Sequence, residues 1–100
     1  MMTEREIRII ANEILQATLG THGFDRADVA DDLDADGIQA VRVTAHFKPG
    51  SQPADGRAAL AALAGLHAKL LAKGETRIPY LRYDYPDDDD PSAQPEEFDP

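Results

Sequence analysis

The hydrophobic spacing along the chain runs from helical to alternating, back to helical, and ends in a short strand-like stretch, which predicts an α+β domain of α-β-β-α-β order. Two further observations support that class. Asp36-Gly37 separates two runs of strand composition, and Gly20 and Gly74 stand where two helical patterns stop. The simplest architecture is a small, mostly antiparallel three-stranded sheet with two helices on one face. It occupies residues 1–85 as one domain, followed over 86–100 by an acidic, Pro-rich tail that is expected to be disordered.

Thr3-Glu4-Arg5-Glu6 spells a capping box, in which the Thr3 hydroxyl and the Glu6 carboxylate each satisfy an orphan backbone donor at a helix start. Ile7, Ile10, Ala11, Ile14, Leu15 and Thr18 then recur on one helical face, with Arg5, Arg8 and Glu13 toward water. Gly20 is expected to end this helix in a left-handed conformation.

Residues 27–33 and 38–47 read as strands, the second with Val41, Val43, Ala45 and Phe47 on one face. A two-residue Asp-Gly turn would set Val41 and Val43 against Asp32 and Ala30, and send Val29 and Leu33 to the opposite face. A three-residue turn, Ala35-Asp36-Gly37 with Gly37 left-handed, instead pairs Val29 with Val43 on one buried face. The second register is expected. It carries one misfit, since Asp31 then points the same way as Val29.

A Pro/Gly/Ser loop over 48–52 leads to Pro53, placed as a first-turn proline, and a second helix to about Lys73. The segment 77–85 has strand composition, but Pro79 cannot donate to a ladder, so it belongs at a sheet edge.

The chain has 100 residues, a net charge of −9 and no cysteine, which excludes disulfides, thiolate metal sites and a thiol nucleophile. Sixteen of its forty-two hydrophobic residues are alanine, so the core must be thin, and help from a partner is a reasonable expectation. All ten basic residues and twelve of the nineteen acids precede Pro86, leaving a body near −2 and a tail of seven acids. That balance argues against electrostatic binding of nucleic acid. No stretch approaches a membrane span and no apolar leader opens the chain, so a soluble, cytoplasmic protein is expected.

Helix two is the most informative segment. On a helical wheel, Leu60, Leu63, Leu66, His67, Leu70 and Leu71 share an arc that should face the sheet. Opposite lie Ala58, Ala61, Gly65, Ala68 and Ala72, small and uncharged where a solvent-facing helix carries Glu or Lys. Such a helix is expected to be covered on two sides, by helix one or by another chain. Arg77, Tyr80, Arg82, Tyr83 and Tyr85 gather cationic and aromatic groups on the final strand, a composition suited to an interface.

The remaining motifs are weaker. Asp32, Asp34 and Asp36 reproduce the first half of a calcium loop, but the twelfth position is Val43 rather than Glu, and an acidic hairpin tip accounts for them. Gly20-Thr21-His22-Gly23 has the letters of the KH-domain nucleotide clamp, and the element order resembles one KH topology. That resemblance implies RNA binding, although the KH loop joins two helices and this one precedes a strand. The glycines of 50–56 suggest a phosphate loop but lack its Gly-Lys-Ser/Thr ending, and Asp55 would repel an anion. His22, His46 and His67 have no ligand spacing, Ser51 and Ser92 lie outside any nucleophile elbow, and no triad assembles. No cofactor or catalytic residue is assigned. The expected function is a non-enzymatic protein-interaction or self-associating module, with a homodimer among its forms. The alternatives are an antitoxin-like neutraliser using its acidic tail, or a KH-like RNA binder.

Overall fold

In the computed structural model, which describes residues 2–53 and 55–86, the capping box opens the fold as the sequence predicts. The Glu6 amide donates to Thr3 Oγ1 at 3.1 Å, and the Thr3 amide donates to Glu6 Oε1 at 2.9 Å. These bonds hold the Glu6 carboxyl below its ordinary range. Helix α1 (Glu4–Leu19) buries Ile7, Ile10, Ala11, Leu15 and Leu19. It does not stop at a left-handed Gly20. Gly20 stays right-handed and begins a single 3₁₀ turn through His22, and the left-handed residue is Gly23.

Strands β1 (Phe24–Leu33) and β2 (Gln39–Phe47) form the hairpin in the three-residue register, with Val29 opposite Val43 and Ala27 opposite Ala45. The turn shows why. Gly37 adopts φ 78°, and Asp34 Oδ1 accepts from the amides of Asp36 and Ile38 at 2.9 Å each. Helix α2 (Gly56–Ala72) follows, capped by Asp55, whose carboxylate accepts from the Ala58 amide at 2.8 Å. Pro53 therefore lies ahead of the helix rather than in its first turn. Strand β3 (Ile78–Asp84) returns beside β2 to complete the sheet in the order β1-β2-β3.

The α+β class, the element order and the edge position of β3 hold. The sheet is mixed, because β3 runs parallel to β2 while β1 runs antiparallel. A helix between two neighbouring strands carries the chain back to the start of the sheet, so the β2-α2-β3 crossover makes that pair parallel. Val41, Val43, Ala45 and Phe47 turn toward the helices, where they join α1 and the Ala62, Leu66 and Leu70 row of α2 in one core. Phe47 ends that core, stacked on Tyr85 at 4.4 Å and met edge-on by Phe24 and Tyr83. The expected tail, beyond Pro86, lies outside the described residues.

The misfit at Asp31 has a partner. Arg77, 8% exposed, reaches Asp31 with one guanidinium nitrogen, and with the others holds Glu75, which is fully buried. Nη2 also donates to the Met2 carbonyl at 2.8 Å, while Glu75 Oε1 accepts from the Met2 amide at 3.0 Å. One buried ion pair thus ties the N-terminus, β1 and the entry to β3 together.

The Arg77 hydrogen bonds lower the Glu75 carboxyl from its usual 4.5 to about 2, against the opposing effect of burial. A lowered carboxyl stabilises the fold above its unfolded value, and that contribution is lost as the pH falls through the folded one. Stability should therefore decline between pH 4.5 and about 2, and Glu75→Gln should flatten that limb in acid titrations followed by circular dichroism. Glu75→Ala strands a buried guanidinium and should cost about 3–5 kcal/mol, lowering Tm by roughly 10 °C or more.

Candidate interaction surface

Alanine and leucine surround almost the whole of α2, so packing rather than polarity decides which side is covered. Ala62, Leu66 and Leu70 face the core, and Ala58 and Gly65 turn toward α1. A Cβ at Gly65 would lie 3.4 Å from Ile14 Cγ2, an ordinary contact distance that places this position directly against α1. The expected assignment of faces is corrected on this point. Only Leu66 and Leu70 of the leucine arc are buried, whereas Leu60 is 68% exposed, Leu71 53% and Leu63 38%. Ala61, Ala68 and Ala72 also lie at the surface. The small-residue row is therefore divided, Ala58 and Gly65 serving α1 and the other three left open.

The outer side of α2 is consequently apolar, with Arg57 at its start as the charged residue among Leu60, Ala61, Ala64, Ala68 and Leu71. Its lower margin meets β3 in an open groove of about 370 Å³ lined by Gly56, Ala59, Leu60, Leu63, Leu81 and Tyr83. Burial, with the neighbouring Tyr85, pushes the Tyr83 phenol up.

Each outer strand has one edge that no other strand of the sheet pairs, and hairpin parity shows which groups lie on it. Asp34 and Ile38 form a hydrogen-bonded pair, the Asp34 amide donating to the Ile38 carbonyl at 2.9 Å. Even-numbered residues of β1 and β2 therefore bond each other, and odd-numbered residues of β2 bond β3. In a parallel ladder such a residue lies between its partner's two neighbours, so the even residues of β3 bond β2. Pro79, Leu81 and Tyr83 point outward, and Pro79 occupies a position where no ladder bond is lost.

On β1 the corresponding edge is partly occupied by α1, at Ala27 and Asp31 on either side of Val29. The Asn12 side chain accepts from the Ala27 amide at 2.9 Å and donates to its carbonyl at 3.2 Å, and Glu4 accepts from the Asp31 amide at 3.3 Å. On β3, among the described residues, no hydrogen bond from outside the sheet reaches the main chain of Leu81 or Tyr83. Asn12 and Glu4 escaped the sequence reading. An asparagine on an inward-leaning side of a helix was the available signal, since its amide competes for main-chain partners.

The face of the sheet away from the helices is polar. His46 at its centre meets Asp28 of β1 through Nε2 at 2.7 Å and Asp84 of β3 through Nδ1 at 2.8 Å, and Arg42 meets Asp32 at 3.3 Å. Tyr80 and Arg82 are exposed on this face. Of the residues expected to form an interface on the last strand, Tyr80, Arg82 and Tyr83 sit together on β3. Arg77 does not join them, being buried against Glu75.

The other candidate chemistries are local. Asp32 pairs with Arg42, Asp34 organises the hairpin turn, and among the described residues no group of three metal-binding side chains converges. Gly20 to Gly23 joins a helix to a strand and lines an open cleft with Lys48 and Ser51. Among the described residues no helix is long and apolar enough to cross a membrane. No protein-family model, curated protein or solved structure matches the chain.

The orientation of α2 separates two sets of leucines. Leu60→Gln and Leu71→Gln should each change unfolding free energy by no more than about 0.5 kcal/mol. Leu66→Ala should cost about 2–5 kcal/mol, as urea titration will measure.

Proposed function

We propose that this chain is a non-enzymatic protein-interaction module, acting in the cytoplasm, whose working surface is the outer side of α2 together with the free edge of β3. The observation that carries this reading is the coincidence of two unmet needs at one place. Exposed Leu60 and Leu63 flank a groove floored by Leu81 and Tyr83, and the main-chain groups of those same two β3 residues face outward. An open strand edge supplies hydrogen bonds to an incoming strand, and the adjoining apolar groove supplies burial. Tyr80 and Arg82 form a polar rim beside it.

The test uses the full chain and a Leu60→Glu/Leu71→Glu variant. Sedimentation velocity across a concentration series, and retention of proteins from a native extract, should show an assembly for the wild type. The variant should remain folded by circular dichroism and lose that assembly. A wild-type chain that stays monomeric at every concentration and retains nothing that the variant does not would overturn the reading.

A further inference from the structure

We infer that the partner of this surface is a second copy of the chain, joined β3 to β3 in antiparallel register about Tyr83, an inference that rests on the interaction surface proposed above. The two sheet edges are not equivalent. Asn12 and Glu4 already hold Ala27 and Asp31, which interrupts β1 on both sides of Val29, whereas the outward groups of Leu81 and Tyr83 lie consecutively along β3 with no such contact, so the sheet grows more readily there.

A two-fold axis between identical strands requires antiparallel pairing, and two features of β3 select the register. Charge is the first. With Tyr83 on the axis, Arg82 of each copy stands opposite Asp84 of the other, whose Oδ2 already meets His46 and whose Oδ1 is left to receive the guanidinium, giving two reciprocal ion pairs on the polar face. Centring on Leu81 would instead oppose Arg82 to Tyr80 and Asp84 to Ile78. The second feature is Pro79. Odd residues face the edge, so a Leu81-centred ladder would place Pro79 against Tyr83 and forfeit a donor in both symmetric pairs. The Tyr83-centred ladder leaves Pro79 outside the paired segment.

The same parity makes Arg82 and Asp84 a non-hydrogen-bonded pair, the kind in which facing side chains come closest. Leu81 and Tyr83 lie on the helix side, where each groove meets its counterpart beneath Leu60 and Leu63. Chain direction agrees as well. Antiparallel strands place the two Pro86 ends on opposite sides of the axis, so the seven acids that follow each Pro86 in the sequence do not start side by side as they would from parallel strands.

A reciprocal charge exchange tests the register. Arg82→Asp alone sets Asp against Asp across the axis, and Asp84→Arg alone sets Arg against Arg. Each should weaken dimerisation roughly ten- to hundredfold in sedimentation equilibrium. An equimolar mixture of the two variants restores opposite charges at both positions and should recover the dimer, as should the double exchange within one chain. Recovery in the mixture excludes misfolding as the cause of the single-variant losses. The chain has no cysteine, so Tyr83→Cys introduces a single thiol that should form a disulfide only between copies, while Tyr80→Cys should not.

A dimer indifferent to these exchanges, or linked through Tyr80→Cys instead, overturns the register but leaves self-association standing. A strictly monomeric wild type overturns the second copy as partner, and extract retention then decides separately whether the surface binds another protein.

Discussion

The three-residue turn between β1 and β2 is the constraint on which most of the structure depends. A left-handed Gly37 and the Asp34 carboxylate bonded to two following amides set the pairing of the hairpin, and the pairing sets everything with a period of two. It pairs Val29 with Val43 against the core, puts the exposed Asp31 on the helix side of the sheet, and decides which main-chain groups lie on each outer edge. A slip by one residue would expose the valines and exchange the edge groups together. The cost of that coherence is a carboxylate on the helix side of the sheet.

Arg77 and Glu75 answer that cost, and their geometry shows why a thin-cored protein retains a buried ion pair. Such a pair adds little net stability over apolar residues of the same volume, because desolvation offsets most of the attraction. Its value here is positional. Five hydrogen bonds from Arg77 reach Glu75, Asp31 and Met2, fixing the approach of the final strand relative to both the N-terminus and the hairpin. A hydrophobic replacement could fill the space but could not specify which residue of β1 meets the entry to β3.

Local chemistry was legible in the residues, and long-range choices were less so. The Thr3–Glu6 capping box, the hairpin register and the edge character implied by Pro79 each rest on rules acting over a few positions, and all three hold. The orientation of α2 could not be read. A helix of alanine and leucine with three basic residues presents nearly equal apolarity in every direction, so the wheel offers two candidate inward faces. Tertiary packing decides between them: Gly65 lies against Ile14 of α1, Leu66 and Leu70 enter the core, and Leu60 and Leu71 are left outward. Arg77 was misread for a related reason. Its side-chain type resembles that of its neighbours on the last strand, but it is held by the buried Glu75 two residues before it, together with Met2 and Asp31 from distant parts of the chain. On the candidate surface, Tyr80, Arg82 and Tyr83 were found from composition, whereas the leucines beside them appear only once α2 is placed.

The two helices treat the two edges of the sheet in opposite ways, and this contrast links fold to function. α1 lays polar groups, Asn12 and Glu4, over β1 and occupies the Ala27 and Asp31 amides, a partial defence against unwanted strand addition. α2 leaves the edge of β3 uncovered and presents leucine beside it. Were the open edge only a by-product of small size, the adjoining helix would be expected to carry charge, which is the simplest protection for both the edge and its own exposed side. Charge is instead placed on the polar face of the sheet, where His46 crosses from Asp28 to Asp84 and Arg42 meets Asp32. That face is the one a partner strand does not need to bury. The exposed leucines of α2 and the outward main-chain groups of β3 therefore meet on one flank, whereas the other large exposed aliphatic side chains, Ile9, Leu33, Ile38 and Ile78, are scattered over α1, the hairpin end and the start of β3.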